Sequence, residues 1–168
     1  MAVRDIVIYP DKRLKEVCEA IADIDQATLD RARDLLDTMR HYSHAVGIAA
    51  PQIGELVRII AIDASKNKKG QKINHGELIM INPEIVAWES IIKTREGCMS
   101  VPDYTGNVNR ARKITVQYID LDGRQRRFDT EGFEAVVIQH EIDHLDGILF
   151  IDRIISKTTD LFRRKNYR

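Results

Sequence analysis

The sequence predicts an α+β fold: antiparallel β-sheets packed around a helix that carries a His-Glu-x-x-His motif, an N-terminal surface helix before them and a short C-terminal helix after. Three observations predict it. Apolar residues recur at helical spacing near both ends of the chain, β-branched runs crowd the middle, and strands do not alternate with helices as a parallel sheet requires. At 168 residues the chain fits a single domain, 1–168, large enough to bury a core without disulfides or a structural metal.

The first helix runs from Asp25 to about Tyr42. Leu29, Ala32, Leu36 and Met39 fall on one stripe with Leu35 beside it, and Asp25 stands where a cap belongs. Asp30 with Arg33, and Asp37 with Arg40, are expected to form a solvated face. The segment from His44 to Gly54, small residues closed by Pro51 and Gly54, reads as a loop where backbone approaches something closely. Val57 to Asp63 and Leu78 to Asn82 are β-branched apolar runs, hence strands, with a polar, Lys-rich turn segment from Ser65 to Gly76 between them. Ile114, Val116 and Tyr118 alternate with polar neighbours up to Asp122-Gly123, and Arg124 to Phe128 follows, the pattern of a β-hairpin. From about Glu131 to Leu145 the helical period returns, with Gly147 placed to end it. A last short helix is expected after the candidate cap Ser156, running toward the basic C-terminus.

Composition excludes several function classes. Lys plus Arg and Asp plus Glu are 26 each, a net charge of zero, so neither nucleic acid nor an anionic membrane is expected as the main partner, since both require a concentrated basic face. The two cysteines, Cys18 and Cys98, are expected as thiols. The N-terminal apolar run Ile6 to Tyr9 is far short of a signal-peptide core or a membrane span, so the expected compartment is the cytoplasm.

The strongest local signal is His140-Glu141-Ile142-Asp143-His144. Residues four apart on a helix point the same way, so both imidazoles can grip one ion. Glu141, one position on, lies close enough to take a proton from a water at that ion. The competing reading is two ordinary helix histidines and a surface charge. Phe133, Val136 and Val137 share the histidines' face, which suits core packing, the wall of an apolar pocket, or both at different depths.

Two histidines are too few for a catalytic site, which usually takes three protein ligands and leaves a fourth position open. The extended protease pattern His-Glu-x-x-His-x-x-Gly-x-x-His holds through Gly147 but has Phe150 at its last ligand, and no Glu follows His144. Cys98 is the best remaining candidate, because a thiolate is a strong, soft ligand. Its competing reading is a buried free cysteine, the reading that fits Cys18. Nucleophilic catalysis by Cys98 with His140 is open too, but leaves the spacing of Glu141 and His144 unexplained.

Taken together, three segments resemble the signatures of the peptide deformylase family, Gly-x-Gly-Leu-Ala-Ala-Pro-Gln, Glu-Gly-Cys-Leu-Ser and Gln-His-Glu-x-Asp-His. Here they read Ala45-Val46-Gly47-Ile48-Ala49-Ala50-Pro51-Gln52, Glu96-Gly97-Cys98-Met99-Ser100 and Gln139-His140-Glu141-Ile142-Asp143-His144, in the family's order. Weaker similarity extends from Pro10 to Arg153. Ala45 stands where the pattern has its first Gly, and would be strained if that position required positive φ. Ile48 and Met99 stand where the pattern has Leu.

The resemblance implies an enzyme that removes the N-formyl group from the N-terminal methionine of newly made polypeptides and releases formate. It implies Cys98, His140 and His144 as metal ligands, Glu141 as general acid and base, and the Gln52 side-chain amide with the Met99 backbone N–H as donors to the oxyanion. A strand-like peptide would lie along the Gly47 and Ile48 backbone, with its methionine in a pocket formed by Phe133, Val136 and Val137. The donor set suits zinc by softness and geometry, whereas the resemblance implies Fe2+, with Zn2+, Ni2+ or Co2+ as substitutes. The implied partners are N-formyl-Met nascent peptides and, by proximity, the ribosome. Two other readings stay open: a zincin-like endopeptidase, and an inactive deformylase-like protein that binds metal.

Overall fold

The computed structural model describes residues 2–165. Two α-helices, α1 (Gln26–His41) and α2 (Phe133–Leu145), flank a sheet of β1 (Gly47–Ala49), β2 (Ile59–Ile62), β3 (Leu78–Cys98), β4 (Val101–Ile119), β5 (Gln125–Glu131) and β6 (Leu161–Arg163). The strands form one antiparallel sheet rather than several. Its order is β1-β2-β3-β4-β5, and β6 also pairs with β4. The long β3 and β4 are the reason: they stay paired from Ile81 opposite Ile119 to Cys98 opposite Val101, across three register irregularities.

Each helix covers one face of the inner strands. The Asp25 carboxylate caps α1 by accepting from the Thr28 amide at 2.9 Å. Ala32, Leu35 and Met39 then pack against Ile59, Ala61, Ile79 and Ile81, while Leu29 and Leu36 are half-buried at the edge of that stripe. The alternate residues Ile60, Ile62 and Met80 point the other way and meet Ala135, Ile138, Ile142 and Leu145 of α2. Burial on both faces explains why β2 reads as an unbroken apolar run. α2 ends as expected at Gly147, whose φ is +71°, with the Ile148 amide donating to the Asp143 carbonyl at 2.9 Å.

Two expected elements differ. Part of the segment from His44 to Gly54 is not a loop but the strand β1, followed by a 3-10 turn over Ala50–Ile53. Three residues are too few to show a period, and pairing with β2 gives the strand its backbone partners. The helix expected after Ser156 is absent among the described residues. Leu161–Arg163 instead pair with Tyr104, Thr105 and Gly106, because this stretch of β4 offers a free edge. The last part of that expected helix, 166–168, lies outside the described residues.

Candidate active site

Cys98 closes β3 just before the turn into β4, while His140 and His144 lie one helical turn apart on α2. The sheet curls over α2 so that a sulfur from Cys98 and one ring nitrogen from each histidine all fall within 4.8 Å of one another. Cys98 Sγ is 3.3 Å from His144 Nε2. Donors placed 2.0–2.3 Å from a tetrahedral ion would be about 3.3–3.8 Å apart, so the Cys98–His144 spacing matches a divalent transition metal and a closing by about 1 Å at most brings in the third donor.

A buried ion-pair network orients the group, and sequence reasoning missed it. His140 Nδ1 donates to Glu96 Oε1 at 2.7 Å, which leaves Nε2 as the ring's free lone pair. Glu96 in turn accepts two 2.8 Å bonds from Arg110. Arg110 also reaches Asp143 at 2.6 Å, and Arg153 closes the chain on Asp143 at 2.5 and 2.8 Å. Burial alone would raise the Glu96 carboxyl, but the hydrogen bonds from Arg110 and His140 outweigh it and hold the group down at about 2. Glu96 is therefore a fixed anion beneath His140. Its sequence signals were its place at the head of the Glu96-Gly97-Cys98-Met99-Ser100 signature and two residues before Cys98. Arg110, 14 residues from Glu96 and 33 from Asp143, carried none.

Glu141 is buried, with its Oε2 lacking a hydrogen-bond partner. Burial pushes its carboxyl up to about 7, against the pull of His140. It lies against the Gly47 backbone: a Cβ on Gly47 would stand 2.8 Å from Glu141 Oε1 and 2.9 Å from Val137 Cγ1. Gln52 has a set orientation. Its Oε1 accepts from the Ala49 amide at 2.9 Å, so its Nε2 is turned toward Ser100 Oγ at 3.1 Å and Cys98 Sγ at 3.5 Å. Gln139, beside the first histidine, is tied up structurally. Its amide bonds both backbone groups of Ala111 at 2.9 Å and so moors α2 to β4.

A cavity of about 970 Å³ opens over this group, with Gly47, Gln52, Met99, Phe133, Val136 and Val137 in its wall. The Ile48 side chain is not part of this wall. It is fully buried on the opposite side, among Leu35, Met39 and Ile59, because strand alternation sends residue 48 toward α1 when residue 47 faces α2. Ala45 does line the cavity. It is unstrained, since Asn82 and Ser90 are the non-glycine residues described with positive φ. Cys18 is a buried free thiol in the core around α2.

Residues 3–160 match the family model described as polypeptide deformylase. The chain is 39% identical over 165 residues to a peptide deformylase of Syntrophobacter fumaroxidans, covering 98% of this chain and 94% of that one. It is 44% identical over 159 residues to one from Thermomicrobium roseum, covering 95% and 90%. Among solved structures, peptide deformylase from Ehrlichia chaffeensis in complex with actinonin superposes with a TM-score of 0.86 at 36% identity, covering 94% of this chain and 91% of that one. A Met-Ala-Ser-bound class I type b peptide deformylase from Acinetobacter baumannii gives 0.84 at 32%, covering 91% and 99%. With near-complete coverage in sequence and in structure, the chain belongs to the peptide deformylase family.

Proposed function

We propose that this protein is a metal-dependent hydrolase, a peptide deformylase, that removes the N-formyl group from the N-terminal methionine of newly made polypeptides and releases formate. The observation that carries this reading is the convergence of Cys98, His140 and His144 with the unpartnered Glu141 carboxylate beside them, at the floor of an apolar-walled cavity. When bound, a divalent ion at the three ligands supplies a Lewis acid that lowers the pKa of water and polarises a carbonyl oxygen. By family, Fe2+ is the working ion, although the sulfur and nitrogen donors suit zinc equally well.

The chain's own residues carry the remaining steps. Glu141 takes the proton of the attacking water and delivers it to the departing amine, a role worth about 10²–10⁴-fold. A neighbouring cation favours the carboxylate form that accepts this proton. The Gln52 amide, its NH2 group turned toward the ligands by the Ala49 bond, donates to the developing oxyanion together with the Met99 backbone N–H, at about 2.7–4 kcal/mol per donor. β1 is the edge strand of the sheet, so a peptide can lie along the Gly47 and Ile48 backbone. Phe133, Val136 and Val137 receive the methionine side chain.

One catalytic domain suffices for this chemistry, and a nascent-peptide substrate supports action in the cytoplasm, in proximity to the ribosome. No described helix is long and apolar enough to cross a membrane. Protein loaded anaerobically with iron and given formyl-Met-Ala-Ser tests the proposal. Formate release supports it; internal cleavage of an unformylated peptide with formyl peptides ignored favours an endopeptidase, and bound metal without turnover favours an inactive binding protein.

A further inference from the structure

The cavity over the metal group adjoins a second, shallower depression of about 720 Å³, and Arg95 and Arg164 line both. Each arginine arrives for a local reason. β6 adds to β4 with Phe162 opposite Thr105, and the Arg164 amide then donates to the Asp103 carbonyl at 2.7 Å. That aligns the Arg164 side chain across Gly97, where its Nη2 sits 2.5 Å from the position a Cβ would take. A side chain at this position would push the guanidinium aside. Arg95, from β3, stacks its guanidinium 3.9 Å over the Phe162 ring and donates to Thr105 Oγ1 at 3.1 and 3.2 Å.

Among the described residues the Arg164 Nε is buried without any hydrogen-bond partner. A buried polar atom left in this state calls for a ligand or a water. Lys69 and Lys93 also line the cavity, Lys93 already paired with Asp160 at 2.9 Å. The carboxylates in the same wall, Glu96 and Glu141, belong to the metal group, and Glu96 is neutralised by Arg110. The outer groove thus holds net positive charge in a protein whose total charge is zero. Guanidinium matches carboxylate geometry through paired N–H donors.

We infer that Arg164, supported by Arg95, forms a carboxylate-selecting subsite that reads an acidic side chain at the second to fourth residue of the substrate. This rests on the deformylase reading, because a peptide seated at the metal group is what carries a downstream chain into the groove. An extended chain advances about 3.3 Å per residue, and Arg164 flanks the residue next to Cys98, so the reach is short.

The test uses metal-loaded enzyme and formyl-Met peptides with Asp, Ala or Lys at each of the second, third and fourth positions, at low salt. At one position Asp should exceed Lys in kcat/KM by about fivefold, through KM, as a partly screened ion pair allows. The ratio should drop below about twofold in Arg164→Gln and at about 0.5 M salt. Arg95→Gln should shrink it as well, and serves if the Arg164 variant does not fold. Dissociation constants for N-acetyl-Met peptides, which carry no formyl group, should show the same ratio. Equal kcat/KM for Asp and Lys at all three positions, or a preference unchanged in both variants, overturns the subsite while leaving deformylation intact. An acidic preference in binding with no formate from any peptide supports the subsite and removes the deformylase reading instead.

Discussion

His140 donates its Nδ1 proton to Glu96 across 44 residues of sequence, at 2.7 Å. The acceptor is itself held by two bonds from Arg110, so ring orientation and tautomer at the metal group are set by a carboxylate that cannot turn away. Glu96→Gln removes that fixed charge while keeping the shape. Metal affinity, measured by competition with a chelator, should fall about 10–100-fold; an unchanged affinity would show that the ring is oriented by packing alone.

Arg110 sits between two buried carboxylates, Glu96 and Asp143. Arg110→Met leaves both charges short of their central partner, although Arg153 still reaches Asp143. Removing one member of such a buried network typically destabilises by about 3–5 kcal/mol. Urea unfolding of the metal-free protein should register a loss of that order, and a change below about 1 kcal/mol would assign the network no more weight than a surface pair.

Gly47 has no space for a side chain, since its Cβ would press on Glu141 Oε1 and Val137 Cγ1. Gly47→Ala should therefore displace the carboxylate without touching the ligands. We expect bound metal at the wild-type level and kcat/KM lowered by at least about tenfold, equivalent to about 1.4 kcal/mol. Wild-type turnover in this variant would mean that Glu141 does not need its present position.

Cys18 supplies a prediction in pH. Burial, the largest influence on it, pushes its thiol up to about 11, and the thiolate is the reactive form. Below that value the thiolate fraction falls tenfold per pH unit, so at pH 8 only about one molecule in a thousand presents it. Alkylation of Cys18 followed by mass spectrometry should be slow at pH 8 in the folded protein and fast once urea exposes the thiol. Rapid labelling in the native state would contradict the packing described around α2.

What the sequence reveals of this site depends on distance along the chain. His140 and His144 are legible because helical spacing places them on one face, and Cys98 because the absence of later ligands directs attention upstream. Glu96, Arg110 and Asp143 meet only after β3, β4 and α2 assemble, so no local period signals their partnership. The face that the Ile48 side chain takes was not legible, because a three-residue strand shows no period. Leu161–Arg163 illustrate tertiary override: a cap-like Ser156 and a basic tail suggest a helix, but the open edge of β4 offers backbone partners that a short isolated helix would lack. Most of β3 was equally hidden, since Glu84 to Arg95 mixes charged and apolar residues on mostly exposed positions and owes its extended form to pairing with β4. Global charge balance concealed the groove at Arg95 and Arg164 for the same reason, because a sum over the chain says nothing of which charges meet at one opening.

The central claim is that Cys98, His140 and His144 hold the ion while Glu141 moves the proton. The most direct test measures metal content and formate release together, in wild-type and Glu141→Gln protein loaded anaerobically with iron and supplied with formyl-Met-Ala-Ser. We predict equal metal in both, with turnover in the variant reduced by about 10²-fold or more. Formate release by Glu141→Gln at the wild-type rate, with its metal in place, would contradict the account.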